Sequence, residues 1–359
     1  MTAEQRPSSV PTSLATQLPA LWYRPRLAAR LLPLLPLSWL FRLLSAARRG
    51  LYRSGLLASK APEVPVIVVG NLTVGGSGKT PLVIWLIEQL RAQGWRPGII
   101  SRGHGGEQHG IQAIGTDSSA ALIGDEPLLL ARRCAVPVFV GRDRVAAAEA
   151  LLAAHPDCNV LVSDDGLQHY RLQRRVELVV FDGRGAGNGQ LLPAGPLREP
   201  LSRLTQATAV VWNSAPGQRF ESATLPQFPM RLEADSFYAL LDAQQRCAAA
   251  DLRGKRLHAI AGIGDPSRFF GTLRALGLDF VAHAFPDHHT YVAADLDFGA
   301  DAVLLMTEKD AVKCPGLSRH ETWVLPVAAQ LEAAPDGSRL LDLIIGVLVE
   351  EGKRGKGEG

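Results

Sequence analysis

An apolar run turns into a glycine-rich loop at Val66-Ile67-Val68-Val69-Gly70-Asn71-Leu72-Thr73-Val74-Gly75-Gly76-Ser77-Gly78-Lys79-Thr80-Pro81. An amphipathic run follows from Leu82 to Leu90, so the sequence predicts a buried strand, a phosphate-binding loop and a helix. Backbone N–H groups of such a loop and the positive end of the following helix together bind a polyphosphate. We therefore predict that the chain binds a nucleoside triphosphate.

The loop supplies a set of candidate nucleotide contacts. Lys79 is expected to reach the β- and γ-phosphates, and the Thr80 hydroxyl is expected to hold Mg²⁺. The other candidates are Thr73, Val74, Gly75, Gly76, Ser77 and Gly78. Thr73 occupies the position at which the usual G-x-x-x-x-G-K-S/T pattern has its first glycine. A glycine-rich turn without a nucleotide is the competing interpretation, and the flanking strand and helix patterns argue against it.

Composition limits the remaining possibilities. The 359 residues are 47% hydrophobic and 20% charged, enough for one large α/β core or two smaller ones. The formal net charge of +3 is too small to indicate nucleic-acid binding, and we expect none. The four cysteines stand singly, which indicates reduced thiols instead of disulfides or a zinc site.

Positive charge is concentrated near the N-terminus. Seven arginines, one lysine and no acidic residue lie between Leu21 and Lys60. One face of the predicted helix there carries Leu40, Leu43, Leu44, Ala47 and Leu51, and the opposite face carries Arg42, Arg49 and Arg53. The pattern predicts a basic amphipathic arm, residues 1–60, that lies on an anionic membrane surface without spanning it. A core-packing helix with solvated arginines is the alternative.

From Pro65 onward, short β-rich runs alternate with helical patterns. This predicts an α/β fold in which a P-loop NTPase-like, mostly parallel sheet has helices on both faces and a smaller C-terminal α/β lobe follows. We expect a nucleotide-binding domain at 61–214, a linker at 215–234, a smaller α/β domain at 235–350 and a disordered tail at 351–359. No strand is predicted inside the linker.

Polar residues follow several predicted strands, at the edge where open α/β sheets bind their ligands. Asp164 and Asp165 end an apolar strand and are predicted to hold Mg²⁺, with helix capping or a turn as the alternative. Gln168 and His169 come directly after them and are expected to line the same cleft.

Three further clusters have two interpretations each. Asp125, in Gly124-Asp125-Glu126-Pro127, is either a helix N-cap or a proton acceptor. The run Asp287-His288-His289 suits proton handling better than a lone histidine does. The run Thr307-Glu308-Lys309-Asp310 has partial likeness to the base-reading motif of GTPases, without its asparagine, and a solvated helix start fits equally well.

Together these motifs resemble the tetraacyldisaccharide 4'-kinases, the lipid A 4'-kinases of Gram-negative envelope synthesis. Besides the loop at Gly70–Pro81, the resemblance rests on Ser101–Gly103, Gly124–Pro127, Asp164–His169, Pro193–Pro200, Asp287–His289 and Thr307–Asp310, in the family's order. Thr73 is part of the family pattern. His104 is a departure, because an aromatic residue is usual there.

The resemblance implies transfer of the γ-phosphate of ATP, with Mg²⁺, to the 4'-hydroxyl of a tetraacylated glucosamine disaccharide 1-phosphate, the lipid A disaccharide precursor. It makes Asp125 the base and His288 the residue that orients or tunes it, with Lys79 as the catalytic cation. The implied substrate contacts are Arg102, Gln168, His169, Arg198 and Glu199. We expect a monomer at the cytoplasmic face of the bacterial inner membrane. The competing function is a membrane-associated P-loop ATPase or GTPase acting as a switch or maturation factor.

Overall fold

A computed structural model describes residues 14–354, apart from residues 25, 104, 108, 109, 116, 117, 215, 216, 222, 223 and 315. His104 and the chain ends at 1–13 and 355–359 therefore lie outside the described residues. The strands, in chain order, are β1 (Val66–Gly70), β2 (Pro97–Ser101), β3 (Gln112–Ala113), β4 (Val138–Val140), β5 (Val160–Asp164), β6 (Val176–Asp182), β7 (Ala209–Asn213), β8 (Gln227–Glu233), β9 (Ser236–Ala239), β10 (Asp242–Ala248), β11 (Arg256–Ala261), β12 (Val281–Ala284), β13 (Ala302–Thr307), β14 (Glu321–Leu325) and β15 (Ala328–Leu331).

Helices alternate with most of these strands. In chain order they are α1 (Leu14–Trp22), α2 (Leu35–Arg53), α3 (Lys79–Ala92), α4 (Ala120–Ile123), α5 (Asp125–Cys134), α6 (Arg144–Ala154), α7 (Ala249–Leu252), α8 (Pro266–Ala275), α9 (Glu308–Ala311) and α10 (Leu340–Arg354). Short 3-10 helices lie at Ala29–Leu34, Leu201–Gln206 and Ala293–Leu296.

The larger sheet has the order β15-β8-β7-β6-β1-β5-β2-β4-β3. All neighbours in it pair in parallel except the two edge pairs, β15 with β8 and β3 with β4. Buried side chains of α3, α5 and α10 cover one face, and those of α6 cover the other. A parallel sheet needs cover on both faces because its strands are apolar on both sides. The predicted fold class is confirmed.

The smaller sheet has the order β10-β9-β14-β13-β11-β12. Its four strands β12, β11, β13 and β14 pair in parallel, and β9 and β10 add an antiparallel edge. Buried side chains of α8 pack against this sheet in a core of their own. Two α/β lobes are therefore present among the described residues, as the alternating pattern predicts.

The sheet topology differs from the predicted domain boundaries in two places. β8 lies inside the predicted linker and pairs in parallel with β7, and β15 returns from the smaller lobe to pair with β8. Phe228 and Met230 are fully buried, so they extend the core of the larger sheet across the predicted boundary. The run is difficult to recognise from sequence because Pro229 interrupts it and its neighbours are polar. The helix α10 also continues to Arg354, into the predicted tail.

The N-terminal arm packs along the larger lobe through one face of α2. The Ser38 hydroxyl is buried there, donates to the Leu191 carbonyl and accepts from the Ala194 N–H. The opposite face carries exposed Leu40, Leu43 and Leu44. The segment Ala29–Arg53 is long and apolar enough to cross a membrane by length and composition, with a mean hydropathy of 1.2 in its most apolar window.

Candidate active site

The glycine-rich loop connects β1 to α3, and α3 begins at Lys79 itself. The Asn71 amide donates to the Gly75 carbonyl at 3.1 Å and accepts from the Lys79 ammonium at 3.3 Å, which holds the lysine over the loop. Gly78 has a φ of +91°, and a Cβ atom there would lie 2.2 Å from the Asn213 amide nitrogen. Both facts require glycine at this position. The turn therefore presents its backbone toward a ligand at the N-terminus of α3, where anions bind.

The two aspartates after β5 have different environments. Asp164 lies opposite Val69 in the β1–β5 register, so it ends beside the start of the loop. It is 2% exposed, and its Oδ1 atom has no hydrogen-bond partner among the described residues. Burial, with the nearby Glu126 charge, raises the pKa of Asp164 to about 7, although the charges of Lys79 and Arg144 act in the opposite direction. The nearby cations therefore only partly offset the burial of this carboxylate.

Asp165 already has counter-charges. Its carboxylate accepts from Arg198 at 3.1 Å on both oxygens and lies 3.6 Å from the Lys79 ammonium. Burial raises the pKa of Asp165, but Lys79 and Arg198 lower it more, so its net pKa is below the ordinary value. Asp165 therefore has direct ion pairs with Lys79 and Arg198, whereas among the described residues Asp164 has none and feels Lys79 and Arg144 only at longer range.

Asp125 and His288 meet across the cleft between the lobes. Asp125 is the first residue of α5 and is 3% exposed, and the His288 Nδ1 atom lies 3.0 Å and 3.1 Å from its two carboxylate oxygens. His288 has a φ of +59°, an unusual backbone conformation for a non-glycine residue. Lys309 from the smaller lobe lies 3.8 Å from Asp125, 3.2 Å from Glu126 and 3.1 Å from Asp287. An aspartate, a histidine and a lysine thus form one charged cluster.

The pKa values within this cluster favour charged groups. The hydrogen bond to Asp125 raises the pKa of His288 above its ordinary value. Burial raises the pKa of Asp125, but the His288 hydrogen bond and the charge of Lys309 outweigh it, and the net pKa is lowered. Burial lowers the pKa of Lys309, yet the charges of Glu126, Asp125 and Asp287 raise it further. A carboxylate kept ionised in a buried position can accept a proton.

The phosphate loop and four residues around Asp125, namely Glu126, Asp287, His288 and Lys309, line one cleft of about 1720 Å³. Asp125 itself is buried and is in contact with His288. Residues of both lobes and of the arm line it. Of the predicted substrate contacts, four line this cleft: Arg102, Gln168, Arg198 and Glu199. Glu199 is 3% exposed and contacts Tyr170, Gln168 and Arg49, so an arginine of the arm reaches the cleft.

His169 is placed elsewhere. Its ring does not line the cleft in the described part of the chain; instead its Nε2 atom lies 4.0 Å from Asp143. Burial, with the nearby charge of Arg144, lowers the pKa of His169 to about 4. Of these two neighbours, Gln168 lines the cleft and His169 lies outside its described lining, so substrate contact by His169 stays a prediction.

Three residues of the two motifs that the sequence left open have structural contacts. Asp310 is fully buried and accepts from the Gly262 N–H, the Tyr291 hydroxyl and the Thr307 hydroxyl, so it cannot read a base. Glu308 is buried against Arg133 of the larger lobe. His289, the second histidine of its pair, contacts Asp295 outside the cleft.

Some site residues were missed by the sequence reasoning. Lys309 lies in a recognised motif, but its role could not be assigned before the lobes were placed. Asn71 and Asn213 have no motif of their own; their proximity to the phosphate loop, at the end of β1 and of β7, is the signal that points to them.

Comparison with known proteins identifies the class of this site. A family model described as "Tetraacyldisaccharide-1-P 4'-kinase" (LpxK) matches residues 30–345. The chain belongs to this family. It is 57% identical over 302 residues to a tetraacyldisaccharide 4'-kinase from Azoarcus sp. (strain BH72), covering 84% of this chain and 89% of that protein. It is 56% identical over 329 residues to the tetraacyldisaccharide 4'-kinase of Dechloromonas aromatica (strain RCB), covering 91% and 92%.

A solved member of the 4'-kinase family has the same fold. The "apo" form of LpxK from Aquifex aeolicus, in complex with ATP, superposes with a TM-score of 0.77 at 31% identity. The match covers 89% of this chain and 99% of that one. Both α/β lobes are therefore features of the family, and the resemblance inferred from the sequence motifs is confirmed.

Proposed function

We propose that this chain is an ATP-dependent lipid kinase, which transfers the γ-phosphate of ATP to the 4'-hydroxyl of a tetraacylated glucosamine disaccharide 1-phosphate in lipid A biosynthesis. The observation that carries the proposal is the contact between Asp125 and His288 beside the phosphate loop, in a chain of the 4'-kinase family. The two residues belong to opposite lobes, and this contact across the cleft supports the assignment of Asp125 as the base.

Donor binding falls to the loop from Thr73 to Thr80. Its backbone N–H groups surround the phosphates, and Lys79 neutralises the charge that develops on the transferred group. Lys79 is held at this position by contacts with Asn71 and Asp165.

The residues present fit a Mg²⁺ ion. Asp164 offers a buried carboxylate oxygen without a partner, and Thr80 offers a hydroxyl at the start of α3. Mg²⁺ is commonly held by one or two carboxylates together with substrate phosphates. Of the three predicted ligands, Asp164 and Thr80 are the better candidates, since Asp165 is already paired with Arg198. When bound, the ion would neutralise charge on the β- and γ-phosphates.

On the acceptor side, Asp125 accepts the proton of the attacking 4'-hydroxyl. The Nδ1–H group of His288 donates to the carboxylate and fixes its orientation, while Lys309 keeps it ionised. Phosphoryl transfer depends on positioning and charge stabilisation more than on covalent catalysis, so this arrangement is sufficient. Arg102, Arg198, Glu199 and Gln168 are placed to contact the acceptor or the transferred phosphate, because they line the same cleft.

The arm binds the protein to the anionic surface of the membrane on the cytoplasmic side. Its outer face presents Leu40, Leu43 and Leu44 at 52%, 66% and 60% exposure, while Ser38 and Arg49 of the inner face contact the lobe. A helix that uses one face for protein contacts suits an interfacial position better than a spanning one. Since the acyl chains of the acceptor remain in the bilayer, the cleft must lie at the surface.

The test is transfer from γ-radiolabelled ATP to a lipid disaccharide acceptor in detergent micelles. Lys79→Ala and Asp125→Ala should each abolish acceptor labelling while leaving the circular dichroism spectrum unchanged. For Asp125 a loss of about 10²- to 10⁴-fold in kcat is expected for a general base. Asp295→Ala is the matched control, because it removes the Asp295–His289 pair outside the cleft.

Two results would contradict the proposal. Near-normal turnover of Asp125→Ala would exclude it as the base. Nucleotide hydrolysis that needs no lipid acceptor, or a preference for GTP, would instead favour the switch function.

A further inference from the structure

The N-terminal arm contacts the phosphate loop directly. The arm turns after α1 at Trp22 and Tyr23, and the Tyr23 hydroxyl donates to the Val74 carbonyl at 3.2 Å. The Thr73 hydroxyl in turn hydrogen-bonds to the Tyr23 hydroxyl. Thr73 is only 5% exposed. The residue that replaces the usual first glycine of the loop therefore has a partner in the arm.

A second set of contacts holds the same turn in place. The Arg184 guanidinium lies 4.5 Å from the centre of the Tyr23 ring and donates to the Gly76 carbonyl at 3.2 Å. Asp182 fixes this arginine with a hydrogen bond of 2.6 Å. Tyr23 and Arg184 thus contact two carbonyls of the loop, at Val74 and Gly76.

The backbone beneath the turn is adapted to this contact. Gly187 has a φ of +58°, and a Cβ atom there would lie 2.6 Å from the Trp22 carbonyl oxygen and 3.1 Å from the Tyr23 ring. The Trp22 carbonyl accepts from the Asn188 N–H at 2.7 Å, and the Trp22 indole donates to the Pro193 carbonyl. The backbone at Gly187 therefore approaches the backbone at Trp22 more closely than a residue with a Cβ atom would allow.

We propose that Tyr23 is a positioning residue for the nucleotide: through it, the membrane-binding arm holds the phosphate loop in the conformation that binds ATP. A loop rich in glycine has many accessible backbone conformations, and each fixed carbonyl removes some of them before the ligand arrives. Removing the contact between Tyr23 and the phosphate loop should weaken ATP binding without changing the rate of the phosphate-transfer step. By linkage, ATP also favours docking of the arm, because the coupling between two sites is reciprocal.

The first experiment measures equilibrium binding of a non-hydrolysable ATP analogue to the full chain in detergent micelles, without acceptor. Tyr23→Phe should raise the Kd about fivefold, the effect of one lost hydrogen bond, and should raise the KM for ATP while kcat at saturation stays unchanged. Tyr52→Phe is the matched control, since Tyr52 belongs to the same arm but stacks near Tyr170.

The second experiment acts through the backbone. Gly187→Ala should raise the Kd for the analogue at least as much as Tyr23→Phe. Gly189→Ala should leave it near the wild-type value, because Gly189 has a similar φ of +73° but no heavy atom within 4 Å of the added methyl group. Comparison of these two variants separates the effect of displacing the arm from the effect of backbone strain at a glycine with positive φ.

Several outcomes would overturn the inference. These are unchanged analogue binding in Tyr23→Phe, an equal loss in Tyr52→Phe, or equal effects of the two glycine substitutions. The inference depends on the proposed ATP site but not on the acceptor. Failure of the wild-type chain to bind the analogue would therefore refute the proposed function. If the wild-type chain and the Tyr23→Phe variant bind the analogue equally well, only the proposed role of Tyr23 is refuted.

Discussion

Replacing Lys309 by methionine removes the cation that faces the proposed base. The Lys309 ammonium lies 3.8 Å from Asp125, and the pair contributes about 4 kcal/mol of attraction at an effective dielectric constant of about 20. The substitution also leaves Glu126 and Asp287 close to Asp125 without their shared counter-charge. Both effects raise the pKa of Asp125, so that more of it is protonated at low pH.

The expected result is a pH-dependent loss of activity. Full loss of the attraction would correspond to a decrease of roughly a thousandfold in kcat/KM at the acidic end of the profile, and relaxation around the site should reduce this to about 30-fold. The loss is confined to acidic pH because the pKa of Asp125 is depressed in the native enzyme, so that this carboxylate stays ionised down to acidic pH. In Lys309→Met the pKa of Asp125 is higher, and the carboxylate ionises only as the pH rises. The variant should therefore approach wild-type activity at alkaline pH.

The assay is the pH profile of kcat/KM for phosphate transfer to the lipid acceptor. Lys309→Arg is the control, because it keeps the charge and should keep the acidic limb in place. A uniform decrease in Lys309→Met at every pH would refute the reasoning, since it would show that Lys309 does not act by keeping Asp125 ionised.

Three further predictions concern the metal, the arm and stability. Asp164→Asn should make the affinity for ATP independent of added Mg²⁺ or EDTA in a fluorescence titration; a wild-type response to Mg²⁺ would exclude Asp164 as a ligand. The double variant Leu43→Gln/Leu44→Gln should bind anionic vesicles roughly 100- to 200-fold more weakly in a sedimentation assay, since burial of each leucine contributes about 1.5 kcal/mol. Leu241→Gln, in the smaller lobe, should bind like the wild type, and equal binding by all three chains would contradict the anchor. Because burial depresses the pKa of His169 to about 4, stability should fall as the pH decreases from about 6.5 to about 4. His169→Gln should flatten this fall in urea unfolding, and an unchanged slope would contradict the assignment.

Much of the donor site could be predicted from the sequence because its parts are local. The phosphate loop, β1 and α3 are consecutive, so a single run of residues specifies the strand, the loop and the helix. Asp164 could be placed near the loop because it ends an apolar strand, and the carboxyl ends of parallel strands share one edge. Which of Asp164 and Asp165 forms direct ion pairs could not be predicted, since that depends on the tertiary placement of Arg198 and Lys79.

The sequence by itself determined the α/β class, the nucleotide loop and the amphipathic arm, because each depends on residue order over one or a few turns of chain. Tertiary structure decided which distant residues meet. Asp125 and His288 are separated by 163 residues, and only the packing of two lobes brings them to 3.0 Å. It likewise placed Tyr23 on the phosphate loop, moved His169 away from the cleft and returned β15 to the larger sheet. These contacts cost loop-closure entropy that long-range packing offsets, and no local pattern records which pairs form.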